Sequence, residues 1–214
     1  MAERPVFISI DRAPYVKTRM VSFEWNGGFA LSQSRKNIRA LHGTAGRLYP
    51  DLRILEISSK SEQEEGPLLS AFHLMKQVPS LKKEVPLECV FQGGKVFLNG
   101  GPYTDLFEQK PKDAKRDPRL RSSGPLTGFR FEGKDYPLTP KTVFYDWMYV
   151  QALLEHPELR SLLEGYDAFT DIVFNPQKSL NCQAESAARF CGLVKAGRMD
   201  ALEDFDTFLG TYYR

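Results

Sequence analysis

Residues 140–156, PKTVFYDWMYVQALLEH, place the strongest constraint on the fold. Val143, Trp147, Val150 and Leu154 recur at helical spacing and form one apolar stripe. Thr139 is placed to cap this helix, and Pro140 suits its first position. PELRSLLEG (157–165) restarts a short helix at Pro157 and stops at Gly165. Further helices are expected over SRKNIRALHGTA (34–45), with Ser34 as cap, and over AESAARFCGLVKAGRM (184–199). In the latter, Ala184, Ala187, Ala188 and Cys191 make a small face suited to close packing. The tail at 201–212 reads as helical, docking through Phe205, Phe208 and Leu209. Strands are expected over PVFISI (5–10), MVSFEW (20–25), RILEIS (53–58) and DAFTDIVF (167–174). The alternation in RILEIS is imperfect, because Glu56 interrupts an apolar run. FRFEGKDY (129–136) reads as a hairpin turning at Glu132-Gly133. Helices outnumber strands and the two are not regularly interleaved, so the sequence predicts one α+β domain over residues 1–214.

Global charge selects no partner: the net charge is +2, so any nucleic-acid contact must come from a local patch. The three cysteines, Cys89, Cys182 and Cys191, have no metal-type spacing and read as reduced, buried thiols. His42, His73 and His156 form no ligand pattern, so neither a metal nor a cofactor is expected. No apolar run approaches the ~20 residues that span a bilayer. The first residues lack a signal-peptide pattern, which predicts a cytoplasmic protein.

The stretch VPLECVFQGGKVFLNGGPY (85–103) sets Glu88, Gln92 and Lys95 inside an apolar run. At about 100° per residue on a helix, these three project within an arc of roughly 60°. Gly93 and Gly94 suit a close approach by backbone or ligand. A lysine beside a carboxylate in an apolar cleft serves either as an ammonium that stabilises negative charge or, with its proton affinity lowered by burial, as a nucleophile toward a carbonyl. A surface salt bridge on an amphipathic helix gives the same spacing. Residues 109–124 are poor in apolar side chains and read as a long loop bearing Lys110, Lys112, Lys115, Arg116, Arg119 and Arg121.

Five segments, taken in order, resemble the NADAR family: LLSAFHL (68–74), ECVFQGGK (88–95), FYDWMYVQALLEHPELRSLL (144–163), DAFTDIVF (167–174) and SLNCQA (179–184). VSFEWNGGFALSQSRKNIRALHG (21–43) and ILEISSKS (54–61) look more specifically like the NADAR antitoxins paired with DarT-type guanine ADP-ribosyltransferase toxins. Two departures stand out. Ala71 replaces the usual Asn, and Ile172–Phe174 stand where a tryptophan follows the strand Asp. Both suit a substrate other than a free pyrimidine intermediate.

The resemblance implies a NADAR (YbiA-like) α+β domain, mainly helical with a small β-sheet, behind a β-rich N-terminal extension over residues 1–60. It implies hydrolysis of the N-glycosidic bond between ADP-ribose and guanine in DNA. Lys95, Glu88 and Asp171 would be catalytic. Ser70, Phe72, Gln92, Trp147 and Asn181 would bind substrate, although the place of Trp147 on the stripe equally suits core packing. Lys112, Lys115, Arg116, Arg119 and Arg121 would face DNA phosphates. ADP-ribosylated DNA, the ADP-ribose product and a DarT-type toxin are the implied partners. Two alternatives stay open: an N-glycosidase on a free nucleotide-like metabolite, and a non-catalytic module that binds ADP-ribose.

Overall fold

The computed structural model describes residues 1–213. Its N-terminal part runs through β1 (Ala2–Ser9), β2 (Val16–Phe23), α1 (Leu31–Leu48), β3 (Ile54–Glu56) and α2 (Glu65–Leu68). Then come β4 (Met75–Val78), β5 (Lys83–Pro86), α3 (Leu87–Gly93), β6 (Lys95–Phe97), α4 (Pro111–Ala114), α5 (Arg119–Ser122), β7 (Leu126–Phe131), β8 (Lys134–Tyr136) and α6 (Val143–Glu155). The chain closes with α7 (Pro157–Leu163), β9 (Ala168–Thr170), α8 (Gln183–Lys195), α9 (Met199–Glu203) and α10 (Phe205–Gly210). With 43% helix, 20% strand and only small sheets, this is a mixed α+β fold of the expected kind. Among the described residues no helix is long and apolar enough to cross a membrane.

The chain forms two compact units, one from residues 1–70 and 157–214, the other from the uninterrupted stretch 71–156. In the first, four strands form a sheet in the order β2-β1-β9-β3. β1 and β2 pair antiparallel over their full lengths, from Ala2 opposite Phe23 to Ser9 opposite Val16. β9 runs antiparallel to β1 and parallel to β3. Val6, Val21, Phe23 and Ala168 pack with Ile38, Leu41 and Ala45 of α1. The small face of α8 is buried as expected, with Ala184, Ala187 and Ala188 fully enclosed, and the helix packs on β1. All three cysteines are free and buried.

The second unit carries the hairpin β4–β5 and the three-stranded sheet β6-β7-β8. The turn between β7 and β8 lies at Glu132-Gly133, where both residues adopt positive φ, as a two-residue hairpin turn requires. Helix α6 is buried nearly all round, from Val143 to Val150, rather than along one stripe. Phe144 stacks on Phe129 with ring centroids 4.4 Å apart, and Tyr136 and Phe91 close the same aromatic cluster.

Several boundaries differ from expectation. Helix α1 starts at Leu31, so Ser34 lies inside its first turn, and Ala30 precedes it without a side-chain cap. Helix α6 starts at Val143, whose N–H bonds back to the Pro140 carbonyl in a preceding turn, so the cap position falls to Thr142 rather than Thr139. The basic segment 109–124 is two short helical turns, α4 and α5, rather than a bare loop.

Candidate active site

Residues 87–97 are neither one helix nor one strand. Helix α3 begins where the Leu87 and Glu88 N–H groups donate to the Leu74 and Ala71 carbonyls, both at 2.9 Å. It stops at Gly93, and the chain passes through Gly94 into β6, where Lys95 pairs with Phe129. Glu88 and Gln92 sit one helical turn apart and are each only 5% exposed. Lys95 leaves the helix, yet its side chain returns to it: Nζ donates to Gln92 Oε1 at 2.6 Å. Gln92 Nε2 in turn donates to Glu88 Oε1 at 2.8 Å. The glutamine amide is oriented by its two neighbours, oxygen toward the ammonium and nitrogen toward the carboxylate. The expected convergence of the three residues is present, but a helix end joined to a strand produces it.

The electrostatics weaken the hold of the Lys95 amine on its proton. Burial pushes the Lys95 ammonium down from its ordinary value to about 8, against the opposing pull of Glu88 and with help from the nearby Lys115 cation. The Phe91 ring lies 4.6 Å from Nζ and supplies much of the apolar wall. Lys115 follows α4, whose Ala114 is enclosed with Cys89 and Leu106, so the backbone behind it is fixed. Its Nζ reaches Glu88 Oε1 at 3.3 Å and hangs 5.5 Å from the half-buried Phe72 ring. Four side chains thus form one continuous chain of contacts, Lys115–Glu88–Gln92–Lys95. Neutralising Lys115, as in Lys115→Gln, removes a cation that disfavours a second charge nearby and raises the proton affinity of Lys95. A pH-rate profile is expected to show the Lys95-dependent limb displaced to higher pH, with Lys115→Arg close to wild type. Cys89 offers no competing nucleophile: burial pushes its thiol up to about 12, and Sγ donates to the Gln109 carbonyl.

The other expected residues fall in different settings. Ser70 is buried, and its hydroxyl donates to the Pro67 carbonyl at 2.7 Å. Trp147 is 6% exposed within α6 and hydrogen-bonds Tyr136. The basic segment divides in two. Arg119 is held by Asp105 and Asp117 and lies over the Tyr103 ring, while Lys115 is paired with Glu88. Lys112, Arg116 and Arg121 are exposed and have no ion-pair partner among the described residues.

Asp171 and Asn181 belong to the unit formed by residues 1–70 and 157–214. Strand β9 ends at Thr170, so Asp171 lies just past it and not on the strand expected over 167–174. Its Oδ1 accepts from the Val173 and Phe174 N–H groups, a local turn that ends the strand. Its Oδ2 accepts from Gln183 Nε2, which also donates to the Ile57 carbonyl. Burial, and then the negative charge of Glu56, push Asp171 up to about 7. Glu56 is fully enclosed and is itself pushed up by burial, against hydrogen bonds from the Ile172 N–H at 2.8 Å and the Thr170 hydroxyl at 2.6 Å. The Thr170 oxygen also meets His42 Nε2 at 2.8 Å. With the threonine proton directed at Glu56, His42 donates from Nε2 and stays neutral, and burial holds it down to about 4. Asn181 Oδ1 is buried without a hydrogen-bond partner among the described residues. Sequence reasoning missed Glu56, Thr170, His42 and Gln183 as a cluster. The only available signal was a carboxylate interrupting the apolar run of β3.

The chain is thus an α+β protein with small sheets and a Glu–Gln–Lys constellation at a helix-to-strand junction. A scan against family profiles gives a match to the DarT1-associated NADAR antitoxins over residues 2–214. The chain belongs to that family. Among curated proteins, none matches it. No group of three or more His, Cys, Asp or Glu is placed to hold a metal ion among the described residues.

Proposed function

We propose that this protein hydrolyses the N-glycosidic bond between ADP-ribose and guanine in DNA, restoring the base and opposing a DNA ADP-ribosyltransferase toxin. The observation that carries the reading is the Lys95–Gln92–Glu88 chain, in which a half-buried amine with lowered proton affinity is linked through Gln92 to a carboxylate. Membership of a family of DarT1-associated NADAR antitoxins supports the reading.

In the proposed reaction the neutral Lys95 Nζ attacks C1 of the guanine-linked ribose. The C1–N bond to guanine breaks, and its electron pair leaves with the base nitrogen, which takes up the proton that Nζ loses as it bonds to C1. Glu88, linked to Lys95 through Gln92, holds the amine in place and steadies the positive charge that builds on the sugar. Ring opening then gives an imine between C1 and Nζ. Water adds to that carbon, releasing ADP-ribose and the free amine. Lys112, Arg116 and Arg121 contribute phosphate contacts from the exposed part of the basic segment.

The test is incubation with single-stranded DNA bearing ADP-ribosylated guanine, followed by mass detection of ADP-ribose. Release is expected, and raised salt is expected to suppress it. Reversing Lys112, Arg116 and Arg121 together is expected to flatten the salt dependence, by a slope of roughly 0.7 per lost contact for single strands. Equal rates on the free modified nucleoside, with no effect of salt or of these reversals, would instead identify a metabolite glycosidase. Tight ADP-ribose binding without release would identify a non-catalytic module.

A further inference from the structure

The loop between β2 and α1, residues 24–30, exposes apolar rings that the reaction proposed above does not use. Phe29 projects fully into solvent and Trp25 is 40% exposed, with Met20 and Leu31 also on the surface nearby in sequence. The backbone at Asn26, next to Trp25, is held in place. The buried Asn37 of α1 accepts from the Asn26 N–H at 2.7 Å and donates to the Asn26 carbonyl at 3.0 Å, clamping the loop onto the helix. The Trp25 ring leans on Phe23, with centroids 6.1 Å apart, and the Arg4 guanidinium lies 5.1 Å over it. A fixed aromatic surface costs little conformational entropy when it binds.

The charge around the loop is one-sided. Residues 16–48 contain Lys17, Arg19, Arg35, Lys36, Arg39 and Arg47, against Glu24 alone, in a chain whose overall charge is nearly balanced. Arg39 is committed to Glu62, and Arg47 to Thr44. Lys17, Arg19 and Lys36 are exposed and have no ion-pair partner among the described residues. Exposed rings flanked in sequence by exposed cations match unpaired bases on a phosphate backbone. A protein partner would more often meet an apolar core with few charges.

We propose that residues 24–31 form a stacking platform for single-stranded DNA, with Trp25 and Phe29 receiving unpaired bases and the cations of residues 16–48 tracking the phosphates. This subsite rests on the reading that DNA carries the substrate. The same Arg4 that covers Trp25 also feels the Asp171 carboxylate, so the platform borders the buried acidic cluster of its own unit.

The chain has two tryptophans, and Trp147 is buried, so Trp25 is the fluorescent reporter open to a ligand. Titration of the full chain with a short unmodified single-stranded oligodeoxynucleotide is expected to quench this emission, less so at high salt. Phe29→Ala, at a fully exposed position, is expected to weaken that binding by roughly 5- to 100-fold with no change in Tm. Trp25→Ala, followed by anisotropy of a labelled oligonucleotide, is expected to do the same. On modified substrates, both variants are expected to raise KM for DNA more than KM for the ADP-ribosylated nucleoside. Absence of quenching, unaltered affinity in both variants, or equal loss on DNA and nucleoside would overturn the platform. Quenching by purified toxin but not by DNA would also overturn it, marking the loop as a protein-docking surface. If the wild type releases ADP-ribose from neither substrate, the glycosidase reading fails, while the binding titration still decides the platform.

Discussion

Replacement of Lys95 by methionine is expected to lower kcat/KM for release of ADP-ribose by at least ~10³-fold, with little change in Tm. Methionine keeps the length and apolar stem of lysine and removes only the amine that meets Gln92. The loss therefore reports chemistry rather than packing. The pH-rate profile of the wild type separates the two roles open to this amine. With a pKa of about 8, roughly a tenth of the side chains are neutral at pH 7. A nucleophile must be neutral, so activity then rises with pH and levels off above about 8. An acid must be charged, so activity then falls through the same point. Borohydride trapping of a sugar–protein adduct, absent from Lys95→Met, would mark the nucleophilic route. Wild-type turnover in Lys95→Met would remove the amine from the reaction altogether.

Gly93→Ala is expected to destabilise the protein by roughly 1–3 kcal/mol, on the order of 2–12 °C in Tm. A β-carbon there would lie 2.6 Å from a ring carbon of Phe107 and 2.9 Å from the Tyr103 carbonyl oxygen. The phenyl ring could turn, but the carbonyl cannot easily retreat, because the Tyr103 N–H bonds back to the Gly93 carbonyl at 2.7 Å. Gly93 lies between Gln92 and Lys95, so any relief by backbone movement pulls the amide away from the amine. Activity measured well below the transition is expected to fall along with Tm. Thermal unfolding followed by circular dichroism reads the first effect, and an unchanged Tm would show that Phe107 and Tyr103 yield freely. The glycine serves a close approach by the protein itself.

Much of this arrangement could be read from local pattern. The hairpin at Glu132-Gly133 follows from two residues, and the helices after Pro157 and before Lys195 follow from periodicity and composition. The convergence of Glu88, Gln92 and Lys95 was legible for an incomplete reason. A seven-residue helical offset and a helix followed by a strand bring the same side chains together, and spacing alone does not separate them. Contacts between distant segments were not legible. Glu56 meets Thr170 and Ile172 only because β3 lies parallel to β9. Likewise, the basic segment reads as a uniform row of cations until Asp105, Asp117 and Glu88 claim some of them. Those pairings are set by the fold and leave no mark on the segment itself.

The strand order β2-β1-β9-β3 has a consequence for biosynthesis. β1, β2 and β3 leave the ribosome early, whereas β9, which belongs between β1 and β3, follows the whole of residues 71–156. Until it arrives, two inner strand edges have open backbone groups, the kind of surface that nascent chains pair wrongly. The inserted stretch is continuous and needs no such wait. A sheet built this way is completed only after the whole of residues 71–156 has been made.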